Sequence, residues 1–343
     1  MKLSEIKAQE AAVKALLSSI SKGSVTHAYL FSGPKSVGKT STALAFAAAL
    51  NCLSRTPEGD SCGLCPSCLR IAAGSDADVL VIRPDGNQTK IDQMQEMIRE
   101  LTFAPLSGRY KICIIEQADT LNSSSENSIL KILEEPPHYA VLILLSRNPN
   151  SLLPTIRSRC RSIRFKRASS EEVVEALQSG FDRDIDELRT IAACSQGTIG
   201  RAYELASNPR FMEERRSVLH ALKNWAHGPA VLSLQTAEIM REMAKPPKNN
   251  LEGQTTVKNL SSMLEHILAW YSDLLKVKVC GADADVINLD FADELVDQSK
   301  LYTIPRLRDA VHSIIDSRRY LEGNITPQLV LENLFLSIHP KSS

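Results

Sequence analysis

The octapeptide Gly33-Pro34-Lys35-Ser36-Val37-Gly38-Lys39-Thr40 has the composition and spacing of a phosphate cradle, G-x-x-x-x-G-K-[ST]. Glycines let successive backbone N–H groups curl around phosphate oxygens, and a helix starting just after them favours negative charge. Lys39 would reach the outer phosphates, and Thr40 would offer its hydroxyl to Mg2+. The expected ligand is therefore ATP or ADP, with Mg2+. A chance glycine turn is the competing reading. The segment's place between a strand-like run, 27–33, and an alanine-rich helical run, 39–51, argues against it.

A second set of chemistry-bearing residues is Cys52, Cys62, Cys65 and Cys68, spaced C-x9-C-x2-C-x2-C. Two tight C-x2-C turns, helped by Gly63 and Pro66, suit a tetrahedral four-thiolate Zn2+ site. Such a site leaves no open coordination position, so its expected role is stability. Cys113, Cys160, Cys194 and Cys280 stand singly in apolar or helical contexts and read as packing residues.

The third set closes a strand-like run, Lys111-Ile-Cys-Ile-Ile-Glu-Gln-Ala-Asp119. A nucleotide hydrolase would place an Asp-Glu pair at such a strand end, one acid for Mg2+ and one to deprotonate water. Here Glu116 and Gln117 stand in that position. Glu116 is one methylene longer than aspartate, and Gln117 cannot accept a proton as a general base, although glutamine can orient water. Asp119 lies beyond the strand end. The pair reads as degenerate for hydrolysis. Further on, residues 152–167 gather Arg157, Arg159, Arg161, Arg164, Lys166 and Arg167. They form either a solvated face over inward Ile163 and Phe165, or a set from which one arginine is presented to a phosphate.

The elements that must position these groups follow from hydrophobic pattern. Apolar runs at 27–33, 78–84, 109–117, 140–146 and 161–167 read as strands, separated by helical periodicity at 39–51, 91–103 and up to Pro136-Pro137. Near-continuous apolar strands alternating with helices imply an α/β domain with a buried parallel sheet. A first helix is expected from a cap at Ser4 to Gly23. After residue 168 the strand signal ends, a small helical unit follows, and from about 209 every long segment is helical except a polar loop at 245–259. A chain of 343 residues fits two or three domains. Forty basic residues balance forty acidic ones, so any nucleic-acid surface must be local. The absence of a signal-like or membrane-spanning apolar run implies the cytoplasm, where thiols stay reduced.

In family order, "HAYLFSGPKSVGKT", the four-cysteine insertion, "ENSILKILEEPP", "SRNPNSLLPTIRSRC", "GTIGRAYELA" and "NITPQLVLENLFL" resemble the bacterial clamp-loader subunits of the AAA+ class, over almost the whole chain. That resemblance implies an AAA+ nucleotide domain with a zinc module (1–167, module 52–68), a helical lid (168–208) and a helical collar holding subunits in a ring (209–343). By position, Gly33 to Thr40 would bind phosphate and Arg201 would be the second nucleotide sensor. Arg159 of the Ser-Arg-Cys motif would be a finger offered in trans to a neighbouring ATPase site. The first sensor falls near Ser146 to Asn148, where Arg147 departs from the usual small polar residue. Within the family, Glu116-Gln117 and the lack of a "YRP"-like opening look more like the delta-prime branch than the gamma/tau motor branch. The implied function is a ring subunit of the DNA polymerase III holoenzyme that helps load the sliding clamp on primed DNA, with weak or absent ATPase activity of its own. Implied partners are gamma/tau, delta, the sliding clamp and, through the complex, primer-template DNA. A gamma/tau-like motor and a P-loop phosphotransferase are the alternatives.

Overall fold

A computed structural model describes residues 1–84, 91–245, 252–281, 284–323 and 325–340. They divide into two compact units: Met1–Gly180 with Ser195–Tyr203, and Phe181–Cys194 with Glu204–Ser343.

The first unit is built on strands β1 (Ala28–Ser32), β2 (Val79–Ile82), β3 (Lys111–Ile115), β4 (Ala140–Ser146) and β5 (Arg161–Arg164), all parallel in the order β2-β3-β4-β1-β5. The apolar runs are continuous because both faces are covered. Tyr29, Phe31, Ile112 and Ile114 meet Phe46 on one side, and Ala28, Leu30, Cys113 and Ile115 meet Met94, Ile129 and Ile156 on the other. The covering helices are α1 (Glu10–Ser21), α2 (Lys39–Asn51), α3 (Pro66–Ala72), α4 (Ile91–Thr102), α5 (Ser123–Glu134) and α6 (Pro154–Arg159). The alanines of α2 are its fitting residues: Ala43, Ala45, Ala47, Ala48 and Ala49 are all essentially inaccessible, so larger side chains would not fit against the sheet. β5 is an edge strand, with Ile163 inward and Arg164 outward. Charge on the outer face of an edge discourages pairing with another chain. α7 (Ser170–Gln178) follows, opened by a capping box in which Ser169 and Glu172 satisfy each other's backbone N–H.

The expected first helix is corrected. Leu3–Glu5 is a single 3-10 turn, Ala8 takes φ +56°, and α1 begins only at Glu10. The cause is tertiary. The Asp60 carboxylate accepts the N–H groups of Leu3 and Ser4, at 3.0 Å each, and ties the N-terminus to the cysteine segment before the chain turns into α1.

The second unit is helical: α8 (Ile185–Ser195, of which Ser195 falls in the first unit), the end of α9 (Ile199–Ser207), α10 (Phe211–His227), α11 (Leu232–Met243), α12 (Glu252–Cys280), α13 (Ala292–Ser299), α14 (Ile304–Glu322) and α15 (Pro327–Ile338). Its core is set by Trp225, Trp270, Tyr271 and Phe335. Arg215, fully buried, is held by both oxygens of Asp290 at 2.6 and 2.7 Å and by Asn288 at 2.7 Å. The polar loop expected over 245–259 is overturned in its second half, where residues 252–259 are the opening turns of the 29-residue α12. Val257 packs against the core and Asn259 donates to the Ala244 carbonyl at the end of α11, so the polar sequence is a helix start with a capping task. Residues 246–251 of the expected loop lie outside the described residues. Among the described residues, no helix is long and apolar enough to cross a membrane.

Candidate functional site

The carboxyl ends of β1, β3 and β4 converge, as ligand sites in open parallel sheets do. Gly33 leaves β1 with its α-carbon so close to β5 that an added Cβ would lie 2.4 Å from the Phe165 carbonyl oxygen. Only glycine permits that approach. Ser36 and Gly38 take positive φ, +61° and +95°, and Gly38 caps α2, so the loop folds back over the helix N-terminus. Val37 is buried and anchors the loop's far side. The Lys39 ammonium donates to the carbonyl of Gly33 at 2.7 Å and to that of Pro34. Lys39 is pulled down to about 8, by burial first and then by the Arg147 guanidinium, with Asp119 pulling the other way.

A pocket of about 320 Å³ opens over this loop. Lys35, Ser36, Gly38, Lys39 and Thr40 supply one wall, Glu116, Gln117 and Arg147 another, and Gly200 at the start of α9 closes onto it. The Gly200 N–H donates to the Ser36 carbonyl at 2.9 Å, and an added Cβ there would lie 3.0 Å from the same oxygen. Arg201 follows Gly200 in the first turn of α9 but is not among the residues lining this pocket. A larger groove, about 550 Å³, runs beside α1 and α7, but no glycine is among its lining residues and Glu10, Glu58, Glu172 and Glu175 make it a poor host for phosphate.

The acidic positions are both engaged. Glu116 lies 3.6 Å from the Arg83 guanidinium, at the end of the adjacent β2. Gln117, in the left-handed region at φ +51°, accepts from the Arg147 guanidinium at 3.3 Å. The Asp119 carboxylate accepts the Arg147 backbone N–H at 2.9 Å and so ties the ends of β3 and β4 together. Sequence reasoning did not find Arg83, because its partnership depends on β2 lying beside β3.

Arg159 stands apart from this pocket, at the end of α6, where it is about one-third exposed. It donates to Glu134 at 2.9 Å and to the Thr155 carbonyl at 3.1 Å. α5 holds α6 at both ends: the Glu126 carboxylate, itself buried, accepts the Leu153 N–H just before α6, and Glu134 grips Arg159 at its close. Both acids belong to "ENSILKILEEPP".

The four cysteine sulfurs lie within 4.8 Å of one another. Zn–S bonds of about 2.3 Å at tetrahedral angles would set the sulfurs roughly 3.8 Å apart, so the donor set fits such an ion with small adjustments. The Leu64 and Cys65 N–H groups donate to the Cys62 sulfur, and the Cys62 N–H to that of Cys52. Burial opposes the Cys65 thiolate, yet N–H groups of Cys68 and Leu53 and the neighbouring thiols hold it down at about 6. Of the other cysteines, Cys113 is buried and Cys160 and Cys194 half-buried, as packing residues are. Cys280 is exposed, which corrects its reading as a packing residue.

Comparison with known proteins places the chain among replication subunits by sequence. Residues 8–169 match the family described as "DNA polymerase III, delta subunit", and residues 209–339 its C-terminal domain. A DNA polymerase III subunit delta' of Bacillus subtilis is 27% identical, covering 96% of each chain. The tau subunit of the same organism is 34% identical over 59% of this chain, which spans only 36% of that protein's length. Among solved structures, a gamma subunit-related protein of Thermotoga maritima aligns over 97% of this chain and 99% of its own, at 18% identity and a TM-score of 0.44. Two models of one family, over residues 8–169 and 209–339, and one relative matched over 96% of both chains lead to the same conclusion: the chain belongs to the DNA polymerase III delta-subunit family.

Proposed function

We propose that this chain is a delta-prime-type ring subunit of the bacterial clamp loader, which helps place the sliding clamp on primed DNA. It grips a nucleotide at Gly33–Thr40 while hydrolysing little or none of it. The observation that carries this reading is the state of the acidic pair: Glu116 is turned toward Arg83, and the Gln117 side-chain oxygen accepts from the Arg147 guanidinium. Neither is set to deprotonate a nucleophile. In this reading Arg159 is a finger presented to the ATPase site of a neighbouring subunit, and Arg201 is a second sensor in a lid spanning 168–208. Residues 209–343 form the collar. Cys52, Cys62, Cys65 and Cys68 hold a structural Zn2+ that fastens residues 52–68, and DNA is met through the complex in the cytoplasm. The partners are gamma/tau and delta subunits and the clamp.

The retained Lys39 and Thr40 are what a gamma/tau-like motor would also keep, which supports that second reading. Single-turnover hydrolysis of ATP by the isolated full-length chain separates the two. The expected result is no turnover above the protein-free rate. Turnover by the wild-type chain that Gln117→Ala abolishes would sink the first reading and favour the second.

A further inference from the structure

Mg2+ at a phosphate loop needs hard oxygen ligands: the loop hydroxyl, phosphate oxygens, and a strand-end carboxylate that holds the metal directly or through its waters. The only acid lining the pocket among the described residues is Glu116, and it lies beside Arg83. Three cations, Lys35, Lys39 and Arg147, line the same walls. A divalent cation entering there meets like charge. A nucleoside di- or triphosphate meets complementary charge.

Arg147 is fixed for such a ligand at two points. Its backbone N–H is held by Asp119 and its guanidinium leans on Gln117, which brings the fork to the pocket wall facing Lys39. A guanidinium carries five N–H donors, so the bond to Gln117 leaves capacity for phosphate oxygens, which it grips bidentately. Gln117 makes that arrangement tolerable. A glutamate there would form an ion pair with Arg147 and hold it away from phosphate.

Resting on the nucleotide-site reading above, we infer that Arg147 takes over the charge-neutralising role of Mg2+, so that this site binds nucleoside di- and triphosphates without a divalent metal. The disagreement between the acid-poor, cation-rich walls and the metal that a phosphate loop implies is thereby explained. The loop keeps its grip on phosphate, and Arg147 supplies the positive charge that Glu116, paired with Arg83, would otherwise recruit as a metal ion.

The test is equilibrium binding of a fluorescent ADP to the purified full-length protein, in excess EDTA and in millimolar Mg2+. Wild-type affinity should differ by less than about fivefold between the two. Arg147→Gln should weaken binding in EDTA at least tenfold (about 1.4 kcal/mol) and regain part of it with Mg2+, and Arg147→Lys should retain most of the metal-independent affinity. A wild-type affinity that falls fivefold or more in EDTA, or an Arg147→Gln protein that binds like wild type in EDTA, overturns the inference while leaving the nucleotide site standing. Failure of the wild-type protein to bind in either condition, with Lys39→Ala no different, defeats the nucleotide site and this inference together.

Discussion

Nucleotide affinity should follow the proton on Lys39. The ammonium is half-buried in its own loop and faces Arg147, and together these hold it down to about 8. A phosphate bound beside it reverses the balance, because an anion favours the charged form and raises the value again. The sign follows directly. Binding needs the ammonium, so affinity is full well below pH 8, falls as pH rises through that value, and approaches a tenfold loss per unit only above it. From pH 7.5 to 9 the protonated fraction of the free site drops from about three-quarters to about one-eleventh, so affinity for ADP should fall about eightfold. The ligand's own phosphate ionisation, near pH 6, is complete before this range. At pH 8 half of the free protein lacks the proton, so calorimetry in buffers of different ionisation enthalpy should record uptake of about half a proton per ADP bound. Arg147→Gln should shrink that uptake, because it removes one cause of the depression. Affinity that is flat from pH 7.5 to 9, or uptake below about one-tenth of a proton, would refute the reasoning.

Three further outcomes concern the metal site and stability. Elemental analysis of the purified protein should find about one equivalent of tightly held zinc, and less than about half an equivalent would count against the four-cysteine site. Chelation under conditions that strip the metal should make the 52–68 segment the first site of proteolysis, since Leu53 and Leu64 are already exposed there. Asp78→Ala should cost about 3–5 kcal/mol in chemical denaturation. It orphans the N–H groups of Leu106, Ser107 and Gly108, which lie 2.7–2.8 Å from the lost carboxylate, and leaves the buried Lys111 ammonium with only the Ala77 carbonyl and the more distant Glu100 among the described residues. Burial works to raise the Asp78 carboxyl, but those N–H groups and Lys111 outweigh it and hold it below the usual range. Its stabilisation is therefore present above pH ~4 and lost as pH falls through the lower folded value. A cost under about 1 kcal/mol at neutral pH would contradict this role.

How much of this was legible in the sequence varied with the range of the interactions. The strands were readable because both faces of the sheet are buried, which leaves unbroken apolar runs such as Ile112 to Ile115. The phosphate loop and the cysteine cluster were readable because their chemistry is local, set by spacing within a few residues. The start of α1 was not, since Asp60, more than fifty residues away, captures the backbone of Leu3 and Ser4. The opening of α12 was missed because its polar residues carry no apolar stripe until Val257, and Asn259 spends its amide on another helix. At the candidate site, Glu116 and Gln117 stood out as the wrong pair for hydrolysis. Their actual partners, Arg83 and Arg147, come from strands on either side and are visible only once the strand order is known. Gly200 is a similar case: its contact with Ser36 joins segments more than 160 residues apart.

The proposal that this chain's chemical contribution is made through Arg159 is tested most directly in the reconstituted clamp loader, by single-turnover ATP hydrolysis stimulated by clamp and primed DNA. Arg159 is exposed and, among the described residues, held by Glu134 and the Thr155 carbonyl, so Arg159→Ala should leave the fold and ring assembly intact. Hydrolysis at the one adjoining site should fall roughly a thousandfold. Arg157→Ala, two residues away and bonded to Asn150, serves as the control and should leave the rate unchanged. An Arg159→Ala complex that assembles normally and hydrolyses ATP at every site as fast as wild type would contradict the assignment.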